Sequence, residues 1–297
     1  LVDEIRGIGV ICGFVDKNPA DEGKPLYNSA ALFENGRILH RVNKRLLPTY
    51  DVFDESRYFE AGTECTPYSY KGEKIGITIC EDVWNDKDIF KKRIYRINPV
   101  DLMIEGGASL LVNISASPFH VGKKEFRWDL FGAIAGKYKV PLIFVNQVGG
   151  NDSILFDGTS AAFDRHGKIK ALARDFEEDI IFYESDEQTG ITYKENIHPV
   201  SGPDVESVLK ALIMGTRDYV VKCGFSKVVL GLSGGIDSAL TAYIAAKALG
   251  SENVLSVFMP SGYTSADNFE DTKKLAGNIG IGFEVIPVDG VFKEFIR

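Results

Sequence analysis
An α/β fold in two parts is what this sequence predicts, the second part built on a parallel, doubly wound sheet. Three patterns carry the expectation. Residues 227–250, KVVLGLSGGIDSALTAYIAAKALG, pass from a β-branched apolar run through a turn of small residues into apolar spacing of helical period. Strand and helix patterns then alternate to the end of the chain, as parallel α/β sheets require. Before about residue 184, short apolar runs repeatedly end in polar turns.

In chain order, residues 7–14 (GIGVICGF) read as a buried strand. Residues 27–33 and 37–42 read as two strands joined across Glu34-Asn35-Gly36, where Asn-Gly is a strong hairpin signal. Residues 74–80 (KIGITIC) form another strand, ending at Glu81-Asp82. Strands are expected at 108–114 and 141–145 with a helix at 127–139 between them, then at 156–163, 168–173 and 180–183. Between 184 and 200 the periodicity lapses into polar residues with Gly190 and Pro199. We therefore expect a first domain at 1–187, a connection at 188–203 and a second domain at 204–297. In the second, 205–223 reads as an amphipathic helix, 239–249 and 268–280 as helices, and 227–230, 253–259 and 283–287 as strands. Three strands are fewer than such a sheet usually has, so this domain reads as incomplete.

A chain of 297 residues can build two domains, each with a sizeable core. The formal net charge of −8 and pI near 5.2 argue against nucleic-acid or membrane partners and leave small-molecule chemistry. Cys12, Cys65, Cys80 and Cys223 show no CxxC spacing, and the four histidines are scattered, so neither a zinc site nor a disulfide framework is expected. No apolar run reaches membrane-span length, and the cytoplasm is the expected compartment. The chain starts at Leu1 rather than Met, as though entered part-way through a protein.

The turn Gly231, Leu232, Ser233, Gly234, Gly235, Ile236, Asp237 and Ser238 is the first candidate site. A strand, a small-residue turn and a helix present free backbone N–H groups to a phosphate. Gly234 and Gly235 let the phosphate chain approach, Ser233 and Ser238 add hydroxyls, and Asp237 offers a carboxylate to the Mg²⁺ of a bound nucleotide. No Lys follows the glycines as a Walker A loop requires, and a plain capping turn needs one Gly rather than this set. Ser233-Gly-Gly-Ile-Asp-Ser238 resembles the pyrophosphatase-type loop of ATP-dependent amidotransferases and thiolation enzymes.

Cys80 is the second candidate. A lone Cys at a strand end is usually packing, but two acids follow this one directly, which a buried packing site rarely accepts. A Cys nucleophile needs a nearby cation or base, and Lys44, in a polar turn after another strand, is a candidate.

The segments VNKRLLPTYDVFDESRYF, GITICEDVW, NISASPFHVGKKEFR and VNQVGGNDSILFDGTS together resemble the nitrilase-type glutaminase domain of the glutamine-dependent NAD synthetase family. GLSGGIDSAL and SVFMPSGYTSADNFEDTKKLA resemble its synthetase domain. The resemblance implies a nitrilase-like α-β-β-α sandwich followed by a doubly wound ATP-pyrophosphatase-type domain. It implies Cys80 as nucleophile, Lys44 as the cation that stabilises the oxyanion, and Tyr50, Phe53, Glu55, Ser117 and Lys123 around the glutamine. It further implies ATP with Mg²⁺, glutamine and deamido-NAD as the small molecules handled, a homo-oligomer, and an enclosed passage for ammonia. Met259 and Pro260 either border the adenine or pack a strand end. The family's general-base Glu sits upstream in a context that Glu4 lacks, so that residue and the distal dinucleotide pocket are expected to be absent. Another ATP-dependent amidotransferase, or a non-catalytic nucleotide-binding protein, remains as the alternative.

Overall fold
Leu26 to Asn43 reverses direction at Asn35-Gly36 because both residues hold positive φ, 51° and 76°, the backbone that a two-residue hairpin needs. The first sheet of the computed structural model, which describes residues 2–184, 196–202 and 205–296, is built on this hairpin. It is antiparallel, with β1 (Val10–Lys17), β2 (Leu26–Glu34) and β3 (Arg37–Asn43) in that order. β1 starts later than residue 7, where Gly7 turns the chain with φ 74°.

β4 (Tyr68–Tyr70), β5 (Glu73–Ile79), α1 (Pro99–Glu105), β6 (Leu110–Ser115), α2 (Lys123–Tyr138) and β7 (Leu142–Asn146) follow. β8 (Val148–Asn151) and β9 (Ile154–Asp157) pair as a separate hairpin, before β10 (Ala161–Phe163), β11 (Ile169–Leu172) and β12 (Asn196–Ile197). The second sheet runs β12-β11-β10-β7-β6-β5-β4, with β5, β6 and β7 parallel. Residues 75–79 of β5 are buried without interruption, since both faces of this sheet are covered. On one face Ile75, Ile77, Ile79 and Val112 meet Ala30, Leu32 and Val42 of the first sheet. On the other, Leu111, Phe144 and Phe163 meet Val100 and Met103 of α1 and Leu130, Phe131 and Ile134 of α2. These layers are the β-β-α portion of the expected sandwich.

Local chemistry accounts for three departures from the sequence reading. The strand expected at 156–163 is broken where Gly158 and Thr159 take φ of 66° and 57°, so it divides between β9 and β10. Residues 180–183 form no strand; Ile180 and Phe182 are each 76% exposed, and the Phe182 N–H donates to the Asn196 side chain instead of a ladder. α1 was not expected, yet Asn98 caps it by accepting the Val100 N–H, and Pro99 occupies its first turn.

The later elements are α3 (Val205–Lys222), β13 (Val228–Gly231), α4 (Ile236–Leu249), β14 (Val254–Phe258), α5 (Ala266–Ile279), β15 (Gly282–Val285) and α6 (Asp289–Ile296). β13, β14 and β15 form a parallel sheet in that order. Its core joins Leu232, Val254 and Ile281 to Ala242, Ala245 and Ala276, whose small side chains let the helices lie close to the sheet. Two compact units result, 1–148 with 156–200, and 149–155 with 201–297. Residues 185–195, 203 and 204 of the expected connection lie outside the described residues, and 196–200 fall in the first unit. Within the second unit the Gly150 N–H donates to Asp218 of α3 at 2.7 Å.

Candidate functional site
Lys44 follows β3 directly, and Cys80 follows β5, so the ends of two facing sheets deliver them to one place. They line a cavity of about 490 Å³ with Phe53, Glu55, Asn28, Ser115 and residues 13–15 of β1. The Lys44 side chain is 1% exposed, and its ammonium lies 2.5 Å from Glu55 Oε1. Glu55 also accepts the Asn28 amide at 3.2 Å. A buried cation is thus held by a carboxylate, which is itself tied to β2.

Cys80 sits at the strand-to-turn junction with φ 44°, a left-handed backbone unusual for a non-Gly residue. Strain of this kind is common at reactive groups. Burial pushes its thiol above the ordinary range; the Lys44 charge and the Ser115 hydroxyl pull against that, while Glu81 and Glu55 add to it. Burial therefore favours the protonated thiol, and Lys44 stands as a cation that opposes it.

The remaining candidates separate. Tyr50 donates its hydroxyl to Glu81 at 2.8 Å, Tyr95 donates to the same carboxylate at 3.2 Å, and burial drives both phenols upward. Burial, followed by the Arg127 charge, holds Lys123 below the ordinary lysine range, while Cys80 pulls it up, which puts Lys123 within electrostatic reach of the thiol. Ser117 does not line the cavity. It is 3% exposed, its Oγ faces the buried Arg127 guanidinium at 3.4 Å, and its neighbours Ser115 and Ala116 line the wall. Glu4 is exposed and likewise outside the lining. Sequence reading missed Glu81, Ser115, Asn28 and Arg127. Glu81 had a signal, as an acid beside the candidate nucleophile; the other three carry none.

In the second unit, residues 231–238 form the turn between β13 and α4. Gly235 caps α4 without any side-chain hydrogen bond, so first-turn N–H groups stay available. Gly234 holds φ 86°, and a Cβ there would meet Asn268 at 3.3 Å. Ser233 and Ser238 brace the loop: the Ser233 N–H donates to Ser238 Oγ at 3.2 Å, and Ser238 Oγ donates to the Gly235 carbonyl at 2.9 Å. Leu232 points the other way; its side chain is 2% exposed in the core and its N–H donates to Val257. Ile236, Asp237 and Gly231 are exposed, and Met259, 53% exposed, reaches Gly231. Among the described residues no cluster of three His, Cys, Asp or Glu could cage a metal ion. One exposed carboxylate beside free N–H groups suits a Mg²⁺ that arrives bridged to phosphates rather than one held by protein alone.

Residues 6–195 match the carbon-nitrogen hydrolase family and residues 208–297 match NAD synthase. The glutamine-dependent NAD(+) synthetase of Synechocystis sp. is 45% identical over 272 residues, covering 92% of this chain and 49% of that protein. The Thermotoga maritima glutamine-dependent NAD(+) synthetase is 38% identical, over 98% of this chain and 54% of its own. A solved structure of glutamine-dependent NAD+ synthetase from Acinetobacter baumannii, in complex with adenosine diphosphate, is 37% identical. It superposes with a TM-score of 0.87, over 99% of this chain and 53% of that one. The chain spans about half the length of the curated relatives it matches. The domain that brings Cys80 and Lys44 to one cavity is the one the family model spans, and this chain belongs to the carbon-nitrogen hydrolase family, with a segment that matches NAD synthase after that domain.

Proposed function
We propose that this chain is part of a glutamine-dependent NAD synthetase. The observation that carries the reading is the joint presence of the Cys80–Lys44–Glu55 cavity and the open-capped loop at 231–238. In the cavity, Cys80 Sγ attacks the side-chain amide carbon of glutamine. The C–N bond breaks, the thiol proton leaves with the nitrogen as ammonia, and a thioester remains for water to hydrolyse to glutamate. Lys44 faces the developing oxyanion, where a fixed cation in a dry site has most effect. Lys123 answers the α-carboxylate, Tyr50 and Phe53 complete the surroundings, and Ser117 acts on the site only through Arg127, which its hydroxyl faces.

The loop would bind ATP through the first-turn N–H groups of α4, and Asp237 would offer the protein carboxylate to the Mg²⁺ that accompanies the nucleotide, whose charge would offset that of the phosphates. The nicotinate carboxylate of deamido-NAD attacks the α-phosphate, releasing pyrophosphate; ammonia then displaces AMP and leaves the amide. We place the enzyme in the cytoplasm, as a homo-oligomer, on family resemblance.

The test supplies the full-length protein and its Cys80→Ala variant with Mg-ATP and deamido-NAD, and either glutamine or ammonium. The reading expects the variant to lose NAD formation from glutamine and keep it from ammonium. Absence of NAD from ammonium with both proteins would sink the substrate assignment.

A further inference from the structure
Asp82 lies two residues beyond Cys80, is 2% exposed, and stands outside the cavity lining. Its carboxylate accepts three backbone N–H groups. Oδ1 takes those of Arg45 at 3.0 Å and Leu46 at 2.9 Å, and Oδ2 takes that of Ile79 at 3.0 Å. Arg45 and Leu46 come directly after Lys44, where the chain leaves the first sheet; Ile79 comes directly before Cys80, where it leaves the second. One side chain therefore ties the two sheet exits together, next to each of the residues that must meet. Both need holding. Cys80 keeps its φ of 44° only if its turn is fixed from outside, and the buried Lys44 ammonium is placed by the backbone that carries it.

We propose that Asp82 is a positioning residue of the Cys80 site, whose carboxylate sets the approach of Lys44 to the thiol. The inference rests on the glutaminase reading only for its turnover readout. A carboxylate has lone pairs on two oxygens for the three N–H groups. An asparagine of the same shape keeps one oxygen for Arg45 and Leu46 but turns an NH₂ toward the Ile79 N–H, which loosens the Cys80 turn.

The experiment compares the full-length protein with Asp82→Asn and Asp82→Ala. Alkylation of Cys80 by iodoacetamide is followed from about pH 6 to about pH 10. It is read on the Cys80 peptide by mass spectrometry, because Cys12, Cys65 and Cys223 are also free. The charged groups around that thiol include Lys44, Glu55, Glu81 and Lys123, with the Asp82 carboxyl itself two residues away. A folded Asp82→Asn variant should show the alkylation curve displaced to higher pH, as the Lys44 charge withdraws. Its kcat for glutamine hydrolysis should fall about 10–100-fold, with KM changed less than about threefold. An alkylation curve superimposable on that of the parent, in a folded variant, would reduce Asp82 to packing and overturn the proposal. If both variants unfold, amide exchange in the parent decides. The Ile79, Arg45 and Leu46 amides should exchange as one slow group, and independent fast exchange of Ile79 would overturn the tie. A parent without glutaminase activity would refute the proposed function, while the alkylation curves would still decide Asp82.

Discussion

The Cys80 cavity and the 231–238 loop do different physical work with different parts of the chain. The cavity is made of side chains drawn from both sheets of the first unit, and its key cation is 1% exposed. The loop is made of eight consecutive residues, largely exposed, and offers mainly backbone. A charge placed to act on a thiol needs low dielectric and fixed geometry, so it must be buried and paired. A phosphate brings its own charge and needs only N–H groups that can be approached, which a glycine turn at a helix start supplies locally. Substitutions should thus cost catalysis or folding in the first region, and mainly ligand affinity in the second.

The sharpest test of that contrast is Lys44→Met. On the proposed function, glutamine hydrolysis should fall about 10²–10³-fold in kcat, the size seen when one oxyanion donor is removed. Activity from ammonium should be unchanged, and equal loss of both would break the distinction. Arg127→Met comes next. Arg127 and Asp157 are 0% and 1% exposed and pair at 2.5 Å, so the variant leaves a buried carboxylate without its cation. A stability loss of about 3–5 kcal/mol is expected in urea unfolding.

The Asp82 carboxyl gives a smaller, pH-dependent effect. Burial, against its three N–H partners and Lys44, pushes it from an ordinary 3.8 up to about 6. With its folded value raised, the native state binds more protons between those limits, so stability from this group is fullest below about pH 4 and declines as pH rises through about 6. The stability of Asp82→Asn relative to the parent should therefore improve by about 2–3 kcal/mol across that window. A flat difference in urea midpoints would show that the three N–H groups offset the burial completely. The smallest effect is expected at Gly234→Ala. With φ 86° and Asn268 at 3.3 Å, the variant should lose about 1 kcal/mol, read by calorimetry as about fivefold weaker ATP binding with little change in glutamine hydrolysis.

Most strands were legible because β5, β6, β7, β13 and β14 are apolar runs bounded by polar turns, and the Asn35-Gly36 hairpin states its own backbone. Residues 180–183 misled because an apolar pair can read as a strand without a partner to bond. Positive φ at Thr159 was invisible, since its composition does not announce it. Cys80 and Lys44 were readable as candidates for one site, and both line the cavity, while Asn28 and Ser115 in its wall and Arg127 behind it are ordinary residues made important by what they touch. Ser117 shows the converse: its motif is local, but its side chain belongs to Arg127.

By itself the sequence determined the α/β plan, the small-residue turn between a strand and a helix, and the thiol and ammonium carried at two strand ends. These depend on local backbone preference, hydrophobic period and the intrinsic chemistry of a thiol and an ammonium. Only the tertiary structure decided that Glu55 holds Lys44, that burial favours the protonated Cys80 thiol, and that Asp82 joins the exits of two sheets. Those are consequences of desolvation and of contacts such as Lys44 with Glu55, 11 positions apart, and Arg45 with Asp82, 37 apart, which no local pattern encodes.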